Sequence, residues 1–190
     1  MARNVRDISN EFPRAVANRA RKIKLLLMDV DGVLTDGHIY LQSLPDGTAV
    51  EAKAFHSQDG AGLKLARDAG LRTGVISGRD SAAVLRRAKE VGMDFVCQGR
   101  AVKIDAYAEI MRVSGVADSE VAYIGDDLPD LPVLARVGLA IAVANAVVEV
   151  RTAVHHVTRR GGGDAGVREA IEGILKAQGK WAAVAKNAKA

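Results

Sequence analysis

The chain is poor in the residues that mark an oxidising or lipid environment. It has one cysteine, Cys97, in 190 residues, so no internal disulfide can form and a reducing cytoplasm is the expected setting. No stretch approaches the ~18 uninterrupted apolar residues that a bilayer crossing needs. The opening MARNVRDISNEFPRAVANRARKIK has no apolar run like the centre of a signal peptide. Aromatic residues are only 4% of the chain, and no basic stripe interleaves with them, so neither a nucleic acid nor a membrane is an expected partner.

The net charge of +4 is unevenly spread. Residues 1–24 hold seven Lys/Arg against two acids, and residues 176–190 hold four Lys and no acid, which leaves a middle of about −5. Basic ends on an acidic body read as solvated tails. The expected organisation is therefore a basic arm over 1–22, one domain over 23–175 and a basic tail over 176–190, a length suited to a single core.

Within the domain, short apolar runs alternate with helical patterns. IKLLLMDV, LRTGVIS, DFVCQG, VAYIGD and LAIAVAN read as strands; SQDGAGLKLARDAG, RDSAAVLRRAKEVG, KIDAYAEIMRVSG and LPDLPVLARVG read as helices. Gly70, Gly92, Gly115 and Gly138 stand where left-handed caps would end those helices. The alternation predicts an α/β fold, a doubly wound parallel sheet covered by helices on both faces. Residues 38–55 break the rhythm: two strand-like runs flank Pro45-Asp46-Gly47, which predicts an inserted β-hairpin. A lone hairpin is marginal in water, so it packs either on its own domain or on another subunit. A glycine run at 161–163 then leads into an amphipathic helix carrying Val167, Ile171, Ile174 and Leu175.

In an open parallel sheet, ligands gather beyond the carboxyl ends of the strands. The first strand delivers Asp29 and Asp31, the second Ser77-Gly78-Arg79, the third leads to Lys103, and the fourth delivers Asp126 and Asp127 with Asp130 one turn later. Extended backbone would put Asp29 and Asp31 on one face. Clustered carboxylates repel unless a cation sits among them, and a hard ion with oxygen ligands such as Mg²⁺ is the natural occupant. Lys103 and the Ser77 hydroxyl would then face an anion bound there. An Asp-X-Asp pair alone is common in turns; the ordered arrival of four polar strand ends is the stronger signal.

DVDGVLTDG, VISGRDS, QG followed by Lys103, and GDDLPD resemble, in that order, the four motifs of the haloacid dehalogenase superfamily of phosphatases. The hairpin insertion, FHSQDGAGLK, SGRDS and the GG…VRE tail narrow the likeness, over roughly residues 23 to 172, to its members without a separate cap domain that act on an 8-phosphorylated octulosonate sugar acid in lipopolysaccharide precursor synthesis. The resemblance implies Asp29 as nucleophile, Asp31 as acid and base, Ser77 and Lys103 on the phosphoryl oxygens, and Mg²⁺ held by Asp29, the Asp31 carbonyl and Asp126. Asp127 and Asp130 would tune the metal's surroundings or orient Lys103. Sugar contacts would fall on Asp31, His56, Ser57, Gln58, Asp59, Gly60, Lys64, Arg79, Arg87 and Lys103, although His56 can equally be structural, Asp59 a helix cap, and Lys64 and Arg87 solvated charges.

The resemblance also implies a homotetramer in which the hairpin covers a neighbour's site, and a C-terminal tail able to fold over it. Ala165-Gly166 departs from the usual Gly-Ala order there. His155, His156 and Cys97 read as structural. Three alternatives stay open: a phosphatase of a 9-phosphorylated nonulosonate, a phosphorylated receiver, and a non-catalytic assembly module. Asp31 argues against a receiver, because an acid and base beside the nucleophile serves turnover.

Overall fold

A computed structural model describes residues 12–187. Among these, eight strands and eight α-helices follow the order α1(Arg14–Ala20), β1(Leu25–Met28), β2(Tyr40–Ser43), β3(Ala49–Ala52), α2(Ser57–Asp68), β4(Arg72–Ile76), α3(Ala82–Val91), β5(Phe95–Cys97), α4(Lys103–Ser114), β6(Val121–Gly125), α5(Leu131–Leu134), β7(Leu139–Ala142), α6(Val148–Ala153), β8(His156–Val157), α7(Gly166–Ala177) and α8(Trp181–Asn187).

Six strands form one parallel sheet in the order β5-β4-β1-β6-β7-β8. All four residues of β1 are fully buried, as a central strand covered on both faces requires. The chain runs from β1 to β4 and β5 on one side and then crosses back to β6 on the other, so the loops part at the carboxyl end of β1 and open a crevice there. The expected doubly wound fold is present, with β8 added at one edge.

Three readings of the sequence change. LPDLPVLARVG is not one helix: a 3₁₀ turn over Leu128–Asp130 precedes the four-residue α5, because Pro129 and Pro132 bring no amide hydrogens and each favours a first turn. Gly138 does not adopt the left-handed cap seen at Gly70, Gly92 and Gly115; it is needed for space, since a Cβ there would lie 2.2 Å from the Ser119 carbonyl oxygen. The basic ends are not wholly solvated tails. Helix α1 buries Val16 and Ala20, α8 buries Val184, and the Trp181 ring lies beneath the Arg168 guanidinium at 5.2 Å. Residues 1–11 of the arm and 188–190 of the tail lie outside the described residues.

The hairpin forms as expected, β2 pairing antiparallel with β3. Asp46 accepts from the Thr48 amide to shape its turn. Ile39, Tyr40, Leu41 and Val50 remain exposed on it. Helix α7 buries Val167, Ile171, Ile174 and Leu175 against the core.

Candidate active site

Strand β1 ends at Met28, and its last ladder contact carries into Asp29, whose amide donates to Ile124 O at 3.0 Å. The chain then curls: the amides of Val33, Leu34 and Thr35 converge on the Val30 carbonyl. Extended backbone therefore stops before Asp31, and a tight turn rather than strand alternation orients its carboxylate. Gly32 has φ +90°, and a Cβ there would lie 2.0 Å from Asp126 Oδ2. The turn thus needs glycine both for its conformation and for its approach to the β6 loop.

Asp29 is nearly buried, and Lys103 Nζ, at the first residue of α4, lies 3.0 Å from its Oδ1. Carboxylate oxygens of Asp29, Asp126 and Asp130 all fall within 4.8 Å of one another. Asp130 supplies the third acid of this cluster, and its oxygens are fully engaged. Oδ1 accepts from Lys103 and from the Tyr123 hydroxyl, each at 2.7 Å, while Oδ2 accepts from the Asp126 and Asp127 amides. Asp130 is accordingly a brace that aims Lys103 and fixes the loop carrying Asp126. Asp126 Oδ1, by contrast, is buried with no hydrogen-bond partner.

Burial pushes the Asp29 carboxyl up to about 6; Lys103 opposes the shift and the Asp130 charge adds to it. Burial, then the charges of Asp29 and Asp130, pushes Asp126 up to about 8. For Lys103, burial works against the ammonium, but Asp29 and Asp130 outweigh it and hold the group above its ordinary range. Negative charge exceeds what one lysine offsets. Close-set, hard oxygen donors with an unpartnered buried oxygen among them suit a divalent cation such as Mg²⁺.

Ser77 follows β4, buried, its Oγ exchanging hydrogen bonds with the Arg79 backbone. Gln98 accepts from the Ser81 amide and so ties the β4 and β5 loops together. Asp127 is exposed and caps the 3₁₀ turn through Leu128 N. Asp36 is also outside the cluster, accepting from the His38 amide at the start of the arm.

The residues expected on the sugar divide. His56 is the N-cap of α2, its Nδ1 accepting from the Gln58 amide. Ser57, Gln58 and Lys64 are exposed, and Gln58 borders a cavity of about 260 Å³ with Arg160, Arg168 and Glu172. Asp59 does not cap its own helix; its Oδ1 accepts from the Arg168 amide at 2.7 Å and so caps α7. Gly60 leaves room for Arg87, whose Nη2 a Cβ would meet at 2.0 Å. Arg87 pairs with Glu90 at 3.0 Å and lies over the Phe55 ring, and Arg79 Nη2 donates to Glu51 Oε2 at 2.5 Å. His155 Nδ1 accepts from the Ala140 amide, His156 stacks edgewise on Phe12, and Cys97 is half-buried in β5.

Several residues at the site were not expected from the sequence. Lys53 reaches Asp31 from β3's end, at 2.5 Å. Asn145 donates to Gly32 O and accepts from Gly162 N, clamping the glycine loop onto the turn after Asp31. Glu169 accepts from the Arg159 and Arg160 amides and steadies that loop from α7. Gly162 packs so closely that a Cβ would lie 1.8 Å from Gly32 O. Only the same-face spacing of Glu51 and Lys53 could have pointed to any of them.

Residues 95–171 match the model of the haloacid dehalogenase-like hydrolases. A 3-deoxy-D-manno-octulosonate 8-phosphate phosphatase of Haemophilus influenzae is 41% identical over 162 residues, 85% of this chain and 88% of that protein. Its Escherichia coli K12 counterpart is 39% identical over 165 residues, 87% of this chain and 86% of that protein. The chain belongs to the haloacid dehalogenase-like hydrolases. Among solved structures of the family, the Moraxella catarrhalis 3-deoxy-D-manno-octulosonate 8-phosphate phosphatase, in complex with magnesium, phosphate and KDO, superposes with a TM-score of 0.87 at 40% identity. The match covers 93% of this chain and 99% of that one. A probable phosphatase from Pseudomonas syringae gives 0.88 at 43%, covering 94% and 99%.

Proposed function

We propose that the chain is a Mg²⁺-dependent phosphatase that hydrolyses 3-deoxy-D-manno-octulosonate 8-phosphate to the free sugar acid and phosphate, a step towards lipopolysaccharide precursors. The observation that carries the reading is the buried Asp29, held by Lys103, beside an Asp126 whose Oδ1 lacks a hydrogen-bond partner. An Asp29 oxygen attacks phosphorus and the bond to the sugar oxygen breaks, with Asp31 delivering a proton to that oxygen. Asp31 then takes a proton from water, whose oxygen bonds to phosphorus as the Asp29–phosphorus bond breaks. Ser77 donates to the phosphoryl oxygens and Lys103 offsets their charge. Asp29, Asp126 and the Asp31 carbonyl would hold Mg²⁺, which supplies the remaining positive charge that phosphoryl transfer needs.

Arg79 is about half exposed and suited to grip the substrate's carboxylate, and of the other positions expected on the sugar Ser57, Gln58 and Lys64 are open to solvent. A panel of sugar phosphates assayed with Mg²⁺ and with a chelator tests the reading. Selective, metal-dependent release from the octulosonate is expected; preference for a 9-phosphorylated nonulosonate, or indifference among sugars, overturns the substrate. Asp29→Asn is expected to retain its fold by circular dichroism and to lose hydrolysis, about 10³-fold or more. Turnover near wild type in that variant refutes the nucleophile.

The family likeness also supports a cytoplasmic homotetramer assembled through the arm. Tyr40 and Val50, on the arm face away from Glu51, are each about half exposed, and a patch of this kind is what a second subunit covers. Tyr40→Asp combined with Val50→Asp is expected to give a smaller species by analytical ultracentrifugation. An unchanged assembly removes the arm from the interface.

A further inference from the structure

Four charged side chains close a ring above the turn after β1. Lys53 Nζ lies 2.5 Å from Asp31 Oδ1 and 3.4 Å from Glu51 Oε1; Arg79 lies 2.5 Å from Glu51 Oε2 and 3.8 Å from Asp31 Oδ2. Signs alternate around it. Two of the four come from β3 and the residue after it, on an arm whose other residues are mostly exposed.

Lys53 is the unusual member. Its side chain is only 1% exposed, whereas a lysine on a two-stranded arm has every opportunity to place its ammonium in water. Burial of an ammonium is strongly unfavourable unless carboxylates meet it. Here Asp31 and Glu51 do so. The consequence falls on Asp31: Oδ1 is pinned, while Oδ2 accepts no hydrogen bond among the described residues and meets the Arg79 guanidinium only at 3.8 Å, which leaves that oxygen available for proton work.

We propose that Lys53 is a positioning residue for Asp31. By holding Oδ1 it fixes the carboxyl plane so that Oδ2 addresses the departing sugar oxygen, and the arm becomes part of the catalytic apparatus. Glu51 keeps Lys53 and Arg79 in place on either side. This rests on the acid and base role of Asp31 given above.

The test exploits leaving groups. A sugar alkoxide needs a proton to depart, whereas p-nitrophenolate departs with little help. Lys53→Met is expected to lower kcat/KM about 10- to 100-fold on the sugar-acid phosphate and less than about threefold on p-nitrophenyl phosphate. Lys53→Arg should recover part of the loss. Adding Lys53→Met to Asp31→Asn should cost nothing further, because the residue it positions is already disabled. Equal losses on both substrates, or additive losses in the double variant, overturn the proposal. If Lys53→Met does not fold, Lys53→Arg alone carries the test through its ratio between the two substrates, and an unchanged ratio overturns it. Asp31→Asn with wild-type discrimination between leaving groups overturns the role of Asp31 itself, a result distinct from Asp31→Asn losing discrimination while Lys53→Met keeps it.

Discussion

Asp59 shows how a single buried carboxyl can tie distant segments together at a cost. One oxygen caps α7 through Arg168 N, while the other is buried without a partner. Burial pushes its pKa up to about 6. In the unfolded chain the group titrates near ~4, so between these values the native state binds the extra proton and stability falls as pH rises. Asp59→Asn keeps an acceptor for Arg168 N and removes the charge. The variant is expected to gain about 1–3 kcal/mol on wild type at pH 7.5 and nothing at pH 4, read from urea unfolding at the two pH values; a gain that does not depend on pH contradicts the burial of charge. At this scale the sequence was informative where chemistry repeats at strand ends, as with Asp29, Ser77, Lys103 and Asp126. It was uninformative for Lys53, Asn145 and the partner of Asp59, because their meaning depends on contacts 22 to 113 residues away.

Elements with strong apolar runs or a full amphipathic face were legible, and their limits fell within a few residues of the patterns. Those that escaped were short. α1, α6 and α8 have six or seven residues each and β8 has two, too few for periodicity to register and too few for stability without neighbours. Tertiary packing makes them. The glycine loop before α7 is the opposite case: the sequence marks it as flexible, yet Asn145, Glu169 and the Gly32 carbonyl hold it closely. Gly162→Ala is therefore expected to cost about 1–3 kcal/mol by overpacking and to lower kcat by shifting the turn that follows Asp31. Thermal unfolding and steady-state kinetics read the two effects, and a variant unchanged in both would mean the loop is free to yield.

For the molecule as a whole, the acids at the centre set the response to pH and metal. Asp29 and Asp126 are raised to about 6 and about 8, above their unfolded values, so the metal-free protein loses stability as pH climbs from about 4 through about 8. A bound divalent cation stabilises the ionised pair by mass action. The midpoint of thermal unfolding with a chelator is expected to fall between pH 5 and pH 9, with Mg²⁺ restoring more at pH 9 than at pH 5. Asp126→Asn should flatten the pH trend and remove most of the Mg²⁺ effect. Equal stabilisation by Mg²⁺ at both pH values, in wild type and variant alike, would place its binding elsewhere.

The clamp made by Asn145 between Gly32 and Gly162 also bears on the order in which the protein is made. Asp29 and Asp31 leave the ribosome well before the support for the turn that carries them, because Asn145 follows Gly32 by 113 residues and Gly162 comes later still. Until Gly162 has emerged and settled against Gly32, the early segment holds reactive groups without a finished mould around them. On the roles proposed for Asp29 and Asp31, a truncated product ending before this loop carries both carboxylates without the contact that shapes their turn.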